Sequence, residues 1–89
     1  MELDAKVLDD VVERLRKVEG QIGGIIRMIQ SGRECADVVT QMSAASKALD
    51  RAGFRLLASG LRQCIVERQG GASSTYDEEA FERLFLKLA

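Results

Sequence analysis

The chain has 89 residues, 46% of them hydrophobic and 30% charged, with no proline, tryptophan or histidine and a net charge of −1. This length suffices for one domain over residues 1–89 that buries a modest share of its surface, which excludes a multidomain protein and favours assembly of several copies. The composition predicts an all-α fold, while the lack of a secretory signal and of any run of about 20 apolar residues excludes a membrane span and predicts a cytoplasmic location.

The first predicted element is an amphipathic helix over about residues 5–30. Its apolar residues recur at steps of three and four, and they fall within an arc of about 140° on a helical wheel. They are Leu8, Val11, Val12, Leu15, Val18, Ile22, Ile25, Ile26 and Ile29. Gly20, Gly23 and Gly24 interrupt this helix and each lowers its propensity by roughly 1 kcal/mol relative to alanine, so we expect a close helix approach or a bend there.

A second, longer helix is predicted over about residues 34–68. Ser31 and Glu34 have the spacing of a capping box at its start, and no proline interrupts the segment. Its apolar stripe mixes small and large side chains, as in close helix packing, at Val38, Met42, Ala45, Leu49, Ala52 and Leu56.

The segment from Gly70 to Ser74 predicts a loop, and Thr75 with Glu78 predicts a second capping box. A short third helix over about residues 76–88 would then direct Phe81, Leu84, Phe85 and Leu88 inward. Because two long helices and a short one leave their apolar stripes partly uncovered, we expect two protomers to form an antiparallel four-helix bundle.

The two cysteines, Cys35 and Cys64, are both predicted on helix 2 and are 29 residues apart. That spacing is a rise of about 43 Å, which excludes a bond between them within one straight helix, but it also puts both on one helix side to within about 20°. If two copies of helix 2 pair antiparallel about residues 49 and 50, Cys35 lies opposite Cys64 of the partner subunit. The alternative is that both are inert core residues. Arg33 and the helix start favour Cys35 as the attacking thiolate and Cys64 as the resolving thiol.

A basic region occupies the middle of the chain, because residues 14–68 carry ten basic and five acidic side chains. On helix 2, Lys47, Arg51, Arg55 and Arg62 share an arc of about 80°, and helix 1 adds Arg14, Arg16 and Lys17. The alternative is that these basic residues form an ordinary solvent-exposed helix face. The scarcity of aromatic residues disfavours base stacking, so the basic residues predict contact with double-stranded DNA phosphates.

The stretch RLRKVEGQIGGIIRMIQSGRECADVVTQMSAASKALDRAG, followed by LLASGLRQC, resembles the CsoR/RcnR family of bacterial transcriptional repressors over about residues 8–68. The resemblance implies a homodimer that assembles into a homotetramer, binds operator DNA and releases it when an inducer reaches an inter-subunit cysteine site. It also implies that Arg14 and Arg51 contact DNA, whereas Arg16, Lys17, Lys47 and Arg55 are assigned by extension of the basic stripe.

The inducer is predicted from the residue at position 60. Copper-sensing members of the family resemble one another in a Cys-His-Cys site with the histidine one turn before the second cysteine, and this chain has Gly60 there. The chain is therefore more similar to the CstR-like branch, whose cysteines respond to persulfide or polysulfide, and no cofactor is expected. Two alternatives remain: Cu(I) held by the same two thiolates, and a helical interaction module with incidental cysteines. The sequence contains no recognisable acid–base pair or phosphate-binding loop, so it does not predict an enzyme.

Overall fold

The computed structural model describes residues 4–69 and 78–89, except for the side chains of residues 64, 67–69 and 78. These residues form three helices and no strand, α1 (Ala5–Gln30), α2 (Cys35–Gln69) and α3 (Glu78–Leu88). The predicted all-α fold with three helices is therefore confirmed. The predicted loop at residues 70–74 and the capping residue Thr75 lie outside the described residues.

α1 begins after Asp4, whose side chain accepts a hydrogen bond from the backbone N–H of Lys6 and so caps the first turn. It ends at Gln30, and the following residue, Ser31, caps it by donating its N–H to the carbonyl of Arg27. Gly32 follows in the left-handed region with a φ of 79°, a conformation that side chains with a Cβ rarely adopt. The chain reverses here and enters α2.

The predicted capping box at Ser31 and Glu34 is wrong. The Ser31 hydroxyl donates back to the carbonyl of Met28, so Ser31 closes α1 and does not open α2. Since α2 begins at Cys35, the residue before it is Glu34, whose carbonyl accepts the first helical bond from Val38. Serine can bond to the backbone at either end of a helix, which makes its spacing to glutamate ambiguous when two helices are this close.

α1 and α2 form an antiparallel hairpin with a thin core of small and β-branched side chains. Val7 and Val11 of α1 pack around Ala52, with Leu56 partly buried against them. Val18, Val38 and Ala45 are also buried. The small residues of α2 allow the close helix approach that their mixture in the sequence suggested.

α3 packs on the outer side of α2, away from α1. Phe81 is buried, and the ring of Phe85 lies 5.3 Å from that of Phe54 at an interplanar angle of 56°. The tip of Leu88 lies beside Gly53. These contacts hold the short helix against the middle of α2.

The protomer is a slab of 58 × 25 × 12 Å, about the thickness of one helix layer. Its solvent-accessible surface is 6647 Å², whereas a compact protein of this mass exposes about 5,200 Å². Among the described residues, no helix has the length and apolarity needed to cross a membrane. Fifteen large hydrophobic side chains among the described residues are exposed.

Candidate functional site

The first predicted site residue, Cys35, is the first residue of α2 and carries an exposed free thiol. Its neighbour Arg33, expected to favour the thiolate, instead forms an ion pair with Asp37, with 3.5 Å between Nη2 and Oδ2. Both partners of that pair are largely exposed. Arg33 is therefore engaged by Asp37 and not by the Cys35 thiol.

The second predicted thiol, Cys64, belongs to the same unbroken helix, Cys35–Gln69. Its side chain lies outside those that the structure describes. The two positions are separated by about 43 Å of helix rise, so one chain cannot bring both sulfurs to one ligand. Any site that uses both thiols must combine two protomers.

The donor set around the cysteines is small. Within the described part of the chain, no three cysteine, aspartate or glutamate side chains cluster as a metal site would require, and the sequence contains no histidine. Gly60, one turn before Cys64, is buried in α2. Thiolates are soft ligands, and two of them can hold Cu(I) without a nitrogen donor.

Four of the predicted basic residues line a groove between α1 and α2. One part of the groove, of about 250 Å³, is lined by Arg14 and Lys17 of α1 and by Arg51 of α2. An adjoining part, of about 620 Å³, continues past Arg51 to Lys47 and Gln21. The fold thus brings together side chains that are more than thirty residues apart in the sequence.

Arg55 joins the same surface through an acidic residue that sequence reasoning missed. Asp10 Oδ2 accepts one hydrogen bond from Arg14 Nε at 2.9 Å and another from Arg55 Nε at 3.2 Å. The hydrogen bond from Arg14 is the main reason that the pKa of Asp10 lies below its ordinary value, and Arg55 lowers that pKa further. The Asp10–Arg14 spacing of four residues was the available signal. We call Arg14, Lys17, Lys47, Arg51 and Arg55 the basic groove.

Arg16 is not brought into the basic groove. It is 200° around α1 from Arg14, so it lies on the side of the helix away from α2. Arg62 is exposed and shares the helix side of Arg51, nearer the end of α2. The predicted DNA-binding set therefore divides into five groove residues and one residue, Arg16, that faces elsewhere.

The cysteines and the basic groove lie on opposite sides of the hairpin. Measured around α2 from the buried Ala45, Cys35 and Cys64 lie at about +80° and +100°, whereas Arg51 and Arg55 lie at about −120° and −80°. The cysteine side of both helices also carries nine large apolar residues that are 41–59% exposed. We call them the apolar face: Leu8, Val12, Leu15, Ile22, Ile26, Ile29, Val39, Met42 and Leu49.

The sequence of the chain is similar to those of known transcriptional repressors. The chain is 46% identical over 58 residues to the copper-sensing transcriptional repressor RicR of Mycobacterium tuberculosis, a match that covers 65% of this chain and 60% of the relative. It is 32% identical over 63 residues to the copper-sensing transcriptional repressor CsoR of Bacillus subtilis, covering 71% of this chain and 62% of the relative. The chain thus spans about three fifths of these relatives. No solved structure matches.

These relatives correct one expectation and leave another unconfirmed. The expectation of no cofactor is wrong, because the matched relatives are named for sensing copper. Assignment to the CstR-like branch is not confirmed by any of them. The family model described as metal-sensitive transcriptional repressor matches residues 8–86. That family consists of repressors and not of enzymes, which confirms the prediction that the chain is not an enzyme. Because the match covers nearly the whole length of the chain, the chain belongs to the metal-sensitive transcriptional repressor family.

Proposed function

We propose that the chain is a Cu(I)-responsive repressor that binds double-stranded operator DNA through the basic groove. In this proposal Cu(I) is held between Cys35 of one protomer and Cys64 of the partner subunit, and its binding releases the DNA. The copper-sensing relatives support the choice of metal, and the soft thiolate donors are compatible with it. Such a regulator acts where the chromosome is, in the cytoplasm.

The proposal requires a dimer, and the apolar face supports one. Nine large, exposed apolar side chains lie on one side of a single-layer protomer, and soluble monomers rarely expose that much apolar surface on one side. Two such faces packed together give the four-helix bundle expected from the sequence. A further pairing of dimers into a tetramer would place several basic grooves on one DNA duplex.

The position of the cysteines supports the inter-subunit site. Both lie on the side of α2 that carries the apolar face, so pairing through that face would bring each cysteine near the partner subunit. If the two-fold axis passes near residues 49 and 50, Cys35 meets Cys64 of the partner subunit at both ends, which yields two identical sites. This shared side of two thiols that cannot meet within one chain is the single observation that carries the proposal.

The absence of a histidine limits the set of ligands that the chain can offer to Cu(I). Bound Cu(I) would supply a bond to each thiolate and so link the two subunits through α2. Gly60 provides no side chain at the position where copper-sensing relatives of this family are expected to have an imidazole. We therefore expect that the two thiolates would be the ligands this chain offers to Cu(I).

The test is an anaerobic Cu(I) titration against a competing chelator, paired with fluorescence anisotropy on a duplex selected from random sequences by the wild-type protein. We expect one Cu(I) per protomer and a loss of DNA affinity on loading. Cys35→Ser and Cys64→Ser should each abolish both responses without reducing the affinity of the metal-free protein for DNA. Retention of full DNA affinity after loading with one equivalent of Cu(I) would overturn the proposal.

A second candidate inducer is reactive sulfur, favoured by the exposed thiol of Cys35 and the lack of a nitrogen ligand. The Cys35 thiolate would take a sulfane sulfur from a polysulfide, and the Cys64 thiolate of the partner subunit would attack the persulfide, form a disulfide and release hydrosulfide. Mass spectrometry under non-reducing conditions would show cross-linked dimers after polysulfide treatment. Dimers that remain uncross-linked would eliminate this candidate.

A further inference from the structure

We propose that Asp10 is a positioning residue that orients the guanidinium groups of Arg14 and Arg55 toward a DNA phosphate. This inference rests on the proposed role of the basic groove in binding duplex DNA. An acidic residue is ordinarily unfavourable on a surface that binds DNA, but in this proposal Asp10 is required for DNA binding.

The hydrogen-bond pattern supports this role. A single carboxylate oxygen, Asp10 Oδ2, accepts from the Nε of both Arg14 and Arg55. Each arginine thus uses the side of its guanidinium nearest its own stem. Among the described residues, no hydrogen bond occupies the Nη nitrogens of either side chain, so four terminal nitrogens remain to donate outward.

The exposure of the three side chains supports the same geometry. Arg14 and Arg55 are 45% and 43% exposed, whereas Asp10 is 37% exposed. The Asp10 side chain is thus no more exposed than the two arginine side chains that donate to it. An approaching phosphate meets arginine donors that are already fixed, and charge-assisted bonds of this kind are shorter and stronger than neutral ones.

The bridge also joins the two helices. Asp10 and Arg14 belong to α1, while Arg55 belongs to α2 and follows Asp10 by 45 residues in the sequence. In the part of the chain that the structure describes, it is the one ion pair that connects these helices. Asp10 therefore sets where an arginine of α2 stands relative to an arginine of α1, which is the spacing that two phosphate contacts on one duplex depend on.

The alternative is that Asp10 competes with DNA by occupying the two arginines itself. The two ideas predict opposite signs. Removal of a competing negative charge strengthens binding to a polyanion, whereas removal of a positioning group weakens it. Glu13 offers a matched control, because it lines the same groove but forms no hydrogen bond or ion pair with another described side chain.

The experiment compares Asp10→Asn with Glu13→Gln in the full chain, since each removes one negative charge per protomer. Affinity is measured on the selected duplex and on a scrambled duplex over a series of salt concentrations. We expect Glu13→Gln to bind as tightly as wild type or slightly more tightly, and Asp10→Asn to bind about five- to tenfold more weakly than Glu13→Gln. The salt slope of Asp10→Asn should fall by about 1, since fewer phosphates are contacted.

Asp10→Asn binding that equals or exceeds that of Glu13→Gln would overturn the inference. Arg14→Ala and Arg55→Ala separate this outcome from a failure of the proposed function. If both leave DNA binding unchanged, the groove does not contact DNA; if both weaken binding while Asp10→Asn does not, only the positioning role fails. Circular dichroism of each variant identifies loss of folding, which lowers the active fraction without changing the salt slope. Asp10→Glu, which retains the carboxylate, should restore part of the affinity.

Discussion

Leu49→Ala tests whether the apolar face is a dimer interface. Leu49 is 49% exposed in the protomer and lies near the middle of α2. In the proposed antiparallel dimer it lies close to the two-fold axis, so both copies of the residue would enter one interface. Because alanine is at least as good a helix former as leucine, the substitution should leave the protomer folded.

The size of the effect follows from the exposed fraction. Full burial of a leucine side chain is worth about 1.5–3 kcal/mol, so burial of the half that remains exposed gives about 1 kcal/mol per copy. Two copies contribute about 2 kcal/mol, and the dimer dissociation constant should rise about 30-fold. A cavity left at the axis would increase this value.

Sedimentation equilibrium over a range of concentrations measures the dissociation constant directly. Leu86→Ala is the control, because Leu86 is 63% exposed but belongs to α3 and not to the apolar face. It should leave dimer dissociation unchanged. Equal dissociation constants for Leu49→Ala and wild type, or a wild-type protein that stays monomeric at high concentration, would refute the assignment of this face.

Three further predictions concern the folded protomer. Gly20→Ala should raise the free energy of unfolding by about 0.5–1 kcal/mol, because a Cβ there meets nothing within 4 Å. Gly32→Ala should lower it by about 1 kcal/mol because of the positive φ of Gly32. Urea unfolding distinguishes the two signs, and a stabilising Gly32→Ala would contradict the turn geometry. Phe81→Ala removes the buried anchor of α3 and should cost about 3 kcal/mol of its docking; amide exchange would then be faster in α3 alone, and unchanged protection would show that other contacts hold it. Because the pKa of Asp10 is lowered, its carboxylate contribution is complete above its ordinary pKa and is lost only as the pH falls through the lowered value; the difference in melting temperature between wild type and Asp10→Asn should therefore be constant from about pH 5 to 8 and shrink below about pH 4.

The helices could be predicted from the sequence because their determinants are local and repetitive. The apolar residues of α1 recur from Leu8 to Ile29, and no proline interrupts α2. The position of α3 was harder to predict from the sequence, because the contact between Phe85 and Phe54 depends on packing between distant segments. Composition indicated that the aromatic residues were few, but it could not indicate which of them would meet.

Parts of the candidate site could not be predicted for the same physical reason. The grouping of Arg14 with Arg51 follows from the antiparallel hairpin. The exclusion of Arg16 was predictable, because Arg16 is about 200° around α1 from Arg14. The pairing of Asp10 with Arg55 depends on the register between the two helices. Ser31 lies between the end of α1 and the start of α2, and a serine can bond to the backbone of either. Its spacing to Glu34 in the sequence does not show which of the two helices it caps.

Inducer binding and DNA binding could be coupled through α2, because this helix carries residues proposed for each. This helix carries the two cysteines on one side and Arg51 and Arg55 on the other, while Arg14 belongs to α1. A ligand that links Cys35 to Cys64 of the partner subunit acts on α2 and not directly on α1. Even a small shift of α2 would then change the spacing between Arg14 and Arg55, and the Asp10 bridge would have to break or carry α1 along. If the bridge breaks, the Asp10→Asn variant should respond less to the inducer than wild type, since part of the change has already been made.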